Sequence, residues 1–481
     1  MDIGSSSSQE VSGTDPARSE AGAEHHGLLA QLCAEPVAGS SFLVGAVRVA
    51  EVEATGLLQA LPYEPAVFWS PSCEQALCGL GAAAQIKATG SKRFEQVRHE
   101  LSVLWSKASL STLAPSAAPM PRVLGGFAFQ PGSADTPAWS ELGDASFLLP
   151  RWTYLRTEQA CWLLGVRDLS LGERELTRMA SELERILDAL AEAHAEDPSA
   201  TEPQDTTASH LSPQPTEVPP DDWTQQVASI LQAIEAGVVQ KVVTARSVTM
   251  DLGTGASPEA LLDALQSHDA ASTRFAIRGG GGSFLGATPE RLVQKLGNQV
   301  STEALAGTRE RGDDQALLQS GKDLREHAFV VGAIERALEP FCDHLDVSAQ
   351  PQAYPLPHLV HLKSPVRGEL QPETHVLELV EALHPTPAVG GVPRDSALAW
   401  IANHETTARG WYSAPFGWVD PQGDGEFCVA LRCALVTDST AQLFAGAGIV
   451  AGSEANQEFA ETEWKLRTLR LAVTQLQATR T

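Results

Sequence analysis

The chain has 481 residues, 43 % of them apolar, enough for one large core or two ordinary ones. Sixty acidic side chains against 34 basic ones leave a net charge of −26, which repels nucleic-acid phosphates and anionic membrane surfaces and argues against both as partners. Seven cysteines without regular spacing, no C-x-x-C pair and no run of about 18 apolar residues read as reduced thiols in a cytoplasmic protein without a membrane span.

Residues 1–27 lack a basic and apolar leader pattern and have the composition of a disordered tail. Across 28–195, short β-like runs ("AVFWS", "VLGGFAF", "SFLLPRWTYL") alternate with helical patterns. One of these is "KRFEQVRHELSVLW", with Phe94, Val97, Leu101 and Leu104 on one face; another is the charged "GERELTRMASELERILDALAEAHAE". Residues 196–220, rich in Pro, Ser and Thr, read as a linker.

After it, Asp221 or Asp222 is expected to cap a helix burying Trp223, Val227, Ile230, Leu231 and Ile234, with Gly237 as its stop. "KVVTARSVTM" follows as a strand, and "RLVQKLGNQVSTEAL" as a hairpin turning at Gly297-Asn298. "QALLQSGKDLREHAFVVGAIERALEPF" is predicted as one long helix with Leu324, Val331, Ile334 and Leu338 inward. "WYSAPFGWVDPQGDGEFCVALRCALV" with "AQLFAGAGIV" is predicted as a three-strand meander. Ser453 then opens a last helix with Phe459, Leu466, Leu469, Val473 and Leu476 inward. Hairpins mixed with helices predict an α+β fold with large antiparallel sheets.

Common signatures are absent: no G-x-x-x-x-G-K-[ST], no G-x-G-x-x-G and no H-E-x-x-H. "RGGGGSFLG" lies between strand-like runs and reads as a turn rather than a phosphate cradle. His358 and His361 lack further ligands at zinc spacing. The acidic groups of the second half carry more. Glu290 follows Pro289 where a carboxylic acid can face a cleft, against the bland reading of a solvated loop residue. Glu326 is one helical turn after Lys322, which by itself reads as an exposed ion pair. Glu458 and Glu461 share a helix face near its N-terminus, as ligands for a hard cation or as a charged outer face with Glu461 paired to Lys465. Arg432 in "CVALRCAL" is either an edge-strand snorkel or a buried fork for a carboxylate. Tyr412 reaches the same anion or fills core. Lys241, heading an apolar run, is a solvated strand end or a base.

In order, "KVVTAR", "FLGATPERL", "ALAGTRERG", "GKDLREHA", "HLKSPVRG", "LHPTPAVGG", "RGWYSAPFGWVD", "GEFCVALRCAL" and "AGAGIVAGSEANQEFAETEWKL" resemble the chorismate-utilising enzymes, and most closely the isochorismate synthases. The resemblance is dense over residues 221–478 and looser before the linker. It implies a single large domain, an antiparallel β-sandwich flanked by helices and built by both halves of the chain. It implies Lys241 as the general base activating water for attack at ring carbon 2, and Glu290 as the acid protonating the departing 4-hydroxyl. Glu326, Glu458 and Glu461 resemble carboxylates around Mg²⁺. Arg432, Tyr412 and the Gly448 amide resemble a clamp on the enolpyruvyl carboxylate, and His361 and Lys465 residues near the ring carboxylate. A lysine base needs its pKa, about 10.4 when unperturbed, lowered toward about 7 to 8.

The branch follows from three positions. Lys241 stands where the ammonia-using relatives carry Gln, so the resemblance implies water as nucleophile and no glutaminase partner. Ala306 stands where aminodeoxychorismate synthases carry a nucleophilic lysine. Ala388 stands where salicylate synthases, the rival reading, tend to carry Thr. Thr288, Ala304 and Glu310 depart from the commoner Ser and prolines of these motifs. The implied protein is a monomer, and "RGWYSAPFGWVD" leans to menaquinone rather than siderophore synthesis.

Overall fold

The strand Ala66–Ser72 shows how the architecture is made. Ala66 and Phe68 face a helix-covered cluster on one side, while Val67 and Trp69 enter a second cluster on the other, as a period of two requires. The structure, a computed structural model, describes residues 26–111, 113–195, 220–253 and 257–478.

The strands form two layers. One runs in the order Ala108–Leu110, Phe42–Arg48, Cys161–Asp168, Ala145–Arg156, Gln75–Ala88, Ala66–Ser72, Thr273–Gly279, Gly282–Thr288, Cys433–Thr437, Thr440–Val450, Lys241–Asp251, Gly391–Val392. The other starts from the far end of Ala145–Arg156 and continues through Val123–Phe127, Pro415–Val419, Gly425–Val429, Arg291–Leu296, Gln299–Glu310 and Leu359–Leu370. Cys342–Val347 and Gln352–Pro355 finish it. Among these ladders only Phe42–Arg48 with Ala108–Leu110 is parallel. Ala145–Arg156 serves both layers: residues 145–148 pair with Val123–Phe127, and 152–156 with Cys161–Asp168. Pro150 lies between the two segments, where a residue without an N–H interrupts a ladder at least cost, and the partner strand is irregular between Ala82 and Ala84.

Between the layers lie Trp69, Trp139, Trp411, Phe275, Phe284, Phe416 and Phe444, with Phe275 and Phe416 centroids 5.0 Å apart. Removing a buried ring of this size typically costs about 3–5 kcal/mol. Helical residues 26–33 with Ala54–Ala60, Gly172–Ala195, Pro258–His268 and Ala455–Ala478 cover one outer face. Arg93–Trp105, Asp221–Glu235, Gly321–Leu338, Val376–Leu383 and Arg394–His404 cover the other. Ala66–Ser72 pairs with Thr273–Gly279, and Val123–Phe127 with Pro415–Val419, so both sides of the linker build one sandwich.

Several expectations change. Of the proposed tail, residues 1–25 lie outside the described residues, and 26–27 are helical. Linker residues 196–219 also lie outside, while Pro220 stands at the N-terminus of Asp221–Glu235. Neither Asp221 nor Asp222 caps that helix; Asp222 Oδ1 instead accepts from the adjacent Trp223 N. The long helix is two, Asp314–Gln319 and Gly321–Leu338, because Ser320 Oγ caps the second by accepting from Asp323 N. Its buried stripe is Asp323, His327, Val330, Ile334 and Leu338, leaving Leu324 and Val331 only partly covered.

The meander is two hairpins in different layers. Pro415–Val419 pairs with Gly425–Val429, and Cys433–Thr437 with Thr440–Val450; the chain crosses at Ala430–Arg432, with Arg432 at φ +46°. "RGGGGSFLG" is the expected turn, and Gly281 N donates to Glu141 Oε2 at 2.9 Å.

Gly410 ties the crossover region to the aromatic core. Its φ is +52°, its carbonyl accepts from Phe129 N at 2.8 Å, and a Cβ there would lie 2.1 Å from Trp139 Cδ2. Gly410→Ala is expected to cost about 2–4 kcal/mol, read from the denaturation midpoint, because strain and overpacking act together. An unchanged midpoint would show that Trp139 yields freely.

Candidate active site

Lys241 pairs with Val450 on one side and Val392 on the other, so its backbone is locked inside a ladder. Its side chain is 0 % exposed, with Nζ 2.8 Å from Glu326 Oε1. Gly448, on the neighbouring strand, makes that possible: a Cβ there would lie 2.7 Å from Glu326 Oε1 and 2.9 Å from Lys241 Cε. Beyond Val392 the strand edge has no further strand, and a buried ion pair replaces it. Arg409 Nη2 donates to Val243 O at 2.7 Å, Ala245 N donates to Glu405 Oε1 at 2.6 Å, and Arg409 Nε donates to Glu405 Oε2 at 2.6 Å. Val243 N donates to Gly390 O at 2.8 Å, which joins the Ala388 loop to the same strand.

Two helices bring in the acids. Glu326 and Lys322 stand one turn apart on Gly321–Leu338, and Glu458 and Glu461 on the first turns of Ala455–Ala478. The expected Lys322–Glu326 surface pair does not form. Lys322 Nζ instead reaches Glu458 Oε1 at 2.8 Å across the helices, and Glu458 is 2 % exposed. The Glu461–Lys465 pair does form, at 2.6 Å, and Lys465 Nζ also donates to Gly446 O at 2.9 Å. Each of the three glutamates thus faces a lysine, in keeping with the finding that, among the described residues, no three His, Cys, Asp or Glu side chains are grouped to hold a metal ion.

Burial acts most strongly on Glu326 and pushes its pKa up, but Lys241, Lys465 and Lys322 together outweigh it and hold it below the ordinary value. On Glu461, burial and the charges of Glu458 and Glu326 win over Lys465, and the pKa rises. Burial and the Glu303 carboxylate raise Glu290 to about 7, against Lys241, Lys465 and Arg432. Its backbone is fixed by Val429 N donating to Glu290 O at 3.0 Å, and Thr288 Oγ1 donates to Val429 O at 2.7 Å, so Thr288 serves as a loop tie.

His361 Nδ1 lies 3.0 Å from Thr308 Oγ1. Burial, with Arg432 and Lys465 adding to it, lowers its pKa to about 3, so the ring is neutral. Arg432 is neither a strand snorkel nor a paired fork: it stands at the layer crossover, and its guanidinium makes no hydrogen bond or ion pair of 4 Å or less among the described residues. Burial lowers its pKa, while Tyr412, Asp269, Glu461 and Glu290 favour its charge. Tyr412 occupies a turn rather than the strand predicted for it, stacked on Phe444 with centroids 5.3 Å apart. Burial raises its phenol to about 12.

The structure therefore gathers Lys241, Glu290, Glu326, His361, Tyr412, Arg432, Gly448, Glu458, Glu461 and Lys465 into one cluster of mutually interacting charged and polar groups. Ala388 stays in its loop, its N 3.3 Å from Thr386 Oγ1. The open cleft of about 640 Å³ beside Arg98, Trp105 and His375 contains none of these groups. Sequence reasoning missed Lys322 as a member, the Glu405–Arg409 pair, and Glu303, which is held by Lys363 at 2.7 Å. The i, i+4 spacing of "HETTARG" offered a signal for Glu405 and Arg409; Glu303, distant in sequence from Glu290, offered none. A lysine, an acid raised to about 7, a guanidinium unpaired among the described residues and three carboxylates suit proton transfer on an anionic substrate.

A family model for chorismate binding enzymes matches residues 34–474. The salicylate biosynthesis isochorismate synthase of Pseudomonas aeruginosa is 36 % identical over 85 % of each chain. The isochorismate synthase MenF of Bacillus subtilis is 33 % identical over 84 % of this chain and 86 % of its own. The solved structure of MenF, the menaquinone-specific isochorismate synthase from Escherichia coli, superposes with a TM-score of 0.73 at 26 % identity, covering 94 % of this chain and 99 % of that one. With its two-layer sandwich, its buried lysine and this breadth of match, the chain belongs to the chorismate-binding enzymes.

Proposed function

We propose that the protein is an isochorismate synthase, an isomerase that interconverts chorismate and isochorismate. The observation that carries the reading is Lys241, wholly buried on a fixed strand and within electrostatic reach of an acid whose pKa stands near 7. The names of its relatives support it, since each is an isochorismate synthase.

Lys241 takes a proton from water as the water oxygen bonds to ring carbon 2. The ring double bonds shift, and Glu290 gives its proton to the 4-hydroxyl, which leaves as water. Hydroxide leaves poorly and water attacks poorly, so a base and an acid acting together lower the barrier, each typically by about 10²–10⁴-fold in rate. Lys241 can serve only after its pair with Glu326 opens. Arg432 and Tyr412, with the Gly448 amide, bind the enolpyruvyl carboxylate; Lys465 and the neutral His361 line the ring-carboxylate side, and Ala388 leaves space beside it. A half-buried guanidinium unpaired among the described residues gives an anionic substrate a local attraction in a protein of net charge −26.

The donor set suits Mg²⁺: three carboxylates offer only hard oxygen, and Glu461, raised by burial and then by Glu458 and Glu326, would gain from a dication beside it. Glu326, Glu458 and Glu461 are the residues that would hold it, and when bound it supplies positive charge for the ring carboxylate. No helix among the described residues is long and apolar enough to cross a membrane. The described cysteines are free thiols, as a reducing cytoplasm keeps them, and we place the enzyme there. It acts as a monomer on water without a glutaminase, in menaquinone synthesis by its likeness to MenF.

Purified protein with chorismate and Mg²⁺ is expected to yield isochorismate without pyruvate, and Lys241→Ala to lower kcat by about 10²–10⁴-fold. Pyruvate formed in step with chorismate loss would make the enzyme a salicylate synthase instead. An unaffected Lys241→Ala would remove the base.

Glu290 keeps its proton below about pH 7 and loses it above, so with Lys241 in its proton-accepting form the fraction of enzyme able to protonate the departing 4-hydroxyl, and forward kcat/KM with it, is expected to fall as pH rises through about 7. Glu290→Gln should abolish turnover. A profile that stays flat from pH 6 to 9, about one unit below that pKa to two above, would assign the acid elsewhere.

A further inference from the structure

Three lysines balance three glutamates in the cleft, pair by pair, and the pairs differ in how freely they can part. Lys241 is 0 % exposed and walled in by Gly448 and its ladder. Lys465 is 16 % exposed and tied a second time to Gly446 O. Lys322 is 34 % exposed, and its one hydrogen bond among those found goes to Glu458 Oε1. Its ammonium can swing into water at little solvation cost, whereas Glu458, 3 % exposed in its side chain, would be left buried without a counter-charge. A buried carboxylate released in this way needs another cation at once.

We propose that Lys322 is the displaceable counter-ion of the cation site: it holds Glu458 in the metal-free protein and gives up that place when a divalent cation arrives. The inference rests on reading Glu326, Glu458 and Glu461 as that site. Each of the three carboxylates has an ammonium group within 2.8 Å, so their charge is balanced before a cation arrives. Cation binding is then an exchange, in which the free energy of the Lys322–Glu458 pair is subtracted from the affinity. The alternative role for Lys322 is a tether between Gly321–Leu338 and Ala455–Ala478, indifferent to metal.

The test is Mn²⁺ binding to the full chain, followed by the loss of free-ion signal in electron paramagnetic resonance, for the wild type, Lys322→Met and Lys322→Arg. Lys322→Met is expected to bind Mn²⁺ about fivefold more tightly, and Lys322→Arg no more tightly than the wild type. In EDTA, the melting temperature of Lys322→Met should fall below that of the wild type and recover with Mn²⁺; this also confirms that the variant folds. Equal or weaker binding by Lys322→Met, with the wild type binding one ion, would overturn the exchange and leave a tether. No binding by the wild type would overturn the cation-site reading itself.

Discussion

The buried contact between Lys241 and Glu326 constrains everything around it. An unpaired charge in the interior costs several kcal/mol, so a wholly buried ammonium requires a carboxylate at hydrogen-bond distance, and Glu326 supplies it at 2.8 Å. That demand fixes the rest. The neighbouring strand must have a glycine at 448, the helix Gly321–Leu338 must start where Ser320 lets it start, and its buried stripe must turn Glu326 inward.

The fold serves this arrangement through discontinuities rather than through its regular parts. Lys241 stands near the edge of one layer, where Glu405 and Arg409 replace a missing strand with side-chain hydrogen bonds. Arg432 stands where the chain leaves one layer for the other, its backbone adopts a positive φ, and its guanidinium has no partner among the described residues. Glu290 follows directly after a strand end. Arg432 and Glu290 lie where strands end, so their side chains leave the apolar alternation of the sheet undisturbed, while Glu326, Glu458, Glu461 and Lys465 come from helices.

The electrostatics of the cleft divide the labour among like residues. Glu290, which makes no ion pair of 4 Å or less among the described residues, is raised by burial and by Glu303 to about 7 and keeps a proton to give. Glu326, in contact with Lys241 and near two more lysines, is lowered and stays ionised. Burial is the largest influence on both, so the difference comes from which charges face them. Pairs of carboxylates pushed apart in this way are the usual basis for separate acid and charge-binding roles.

Much of this was legible in the sequence. The stripe Phe94, Val97, Leu101, Leu104 and that of the last helix declare amphipathic helices, because burial on one face needs only local periodicity. The ordered motifs declare the chorismate-binding enzymes and the residues that meet in the cleft. The sequence could not show that Glu326 reaches Lys241 while Lys322 reaches Glu458, for in one helix the spacing of Lys322 and Glu326 describes an equally good surface pair. Nor could it place "GEFCVALRCAL" in two layers, since both strands alternate alike and only the crossover at Arg432 separates them. Periodicity and motif are local properties, so the chain alone determined the elements and the family. Which charge meets which depends on distances between segments far apart in sequence, and packing of the two layers and their helices decided that.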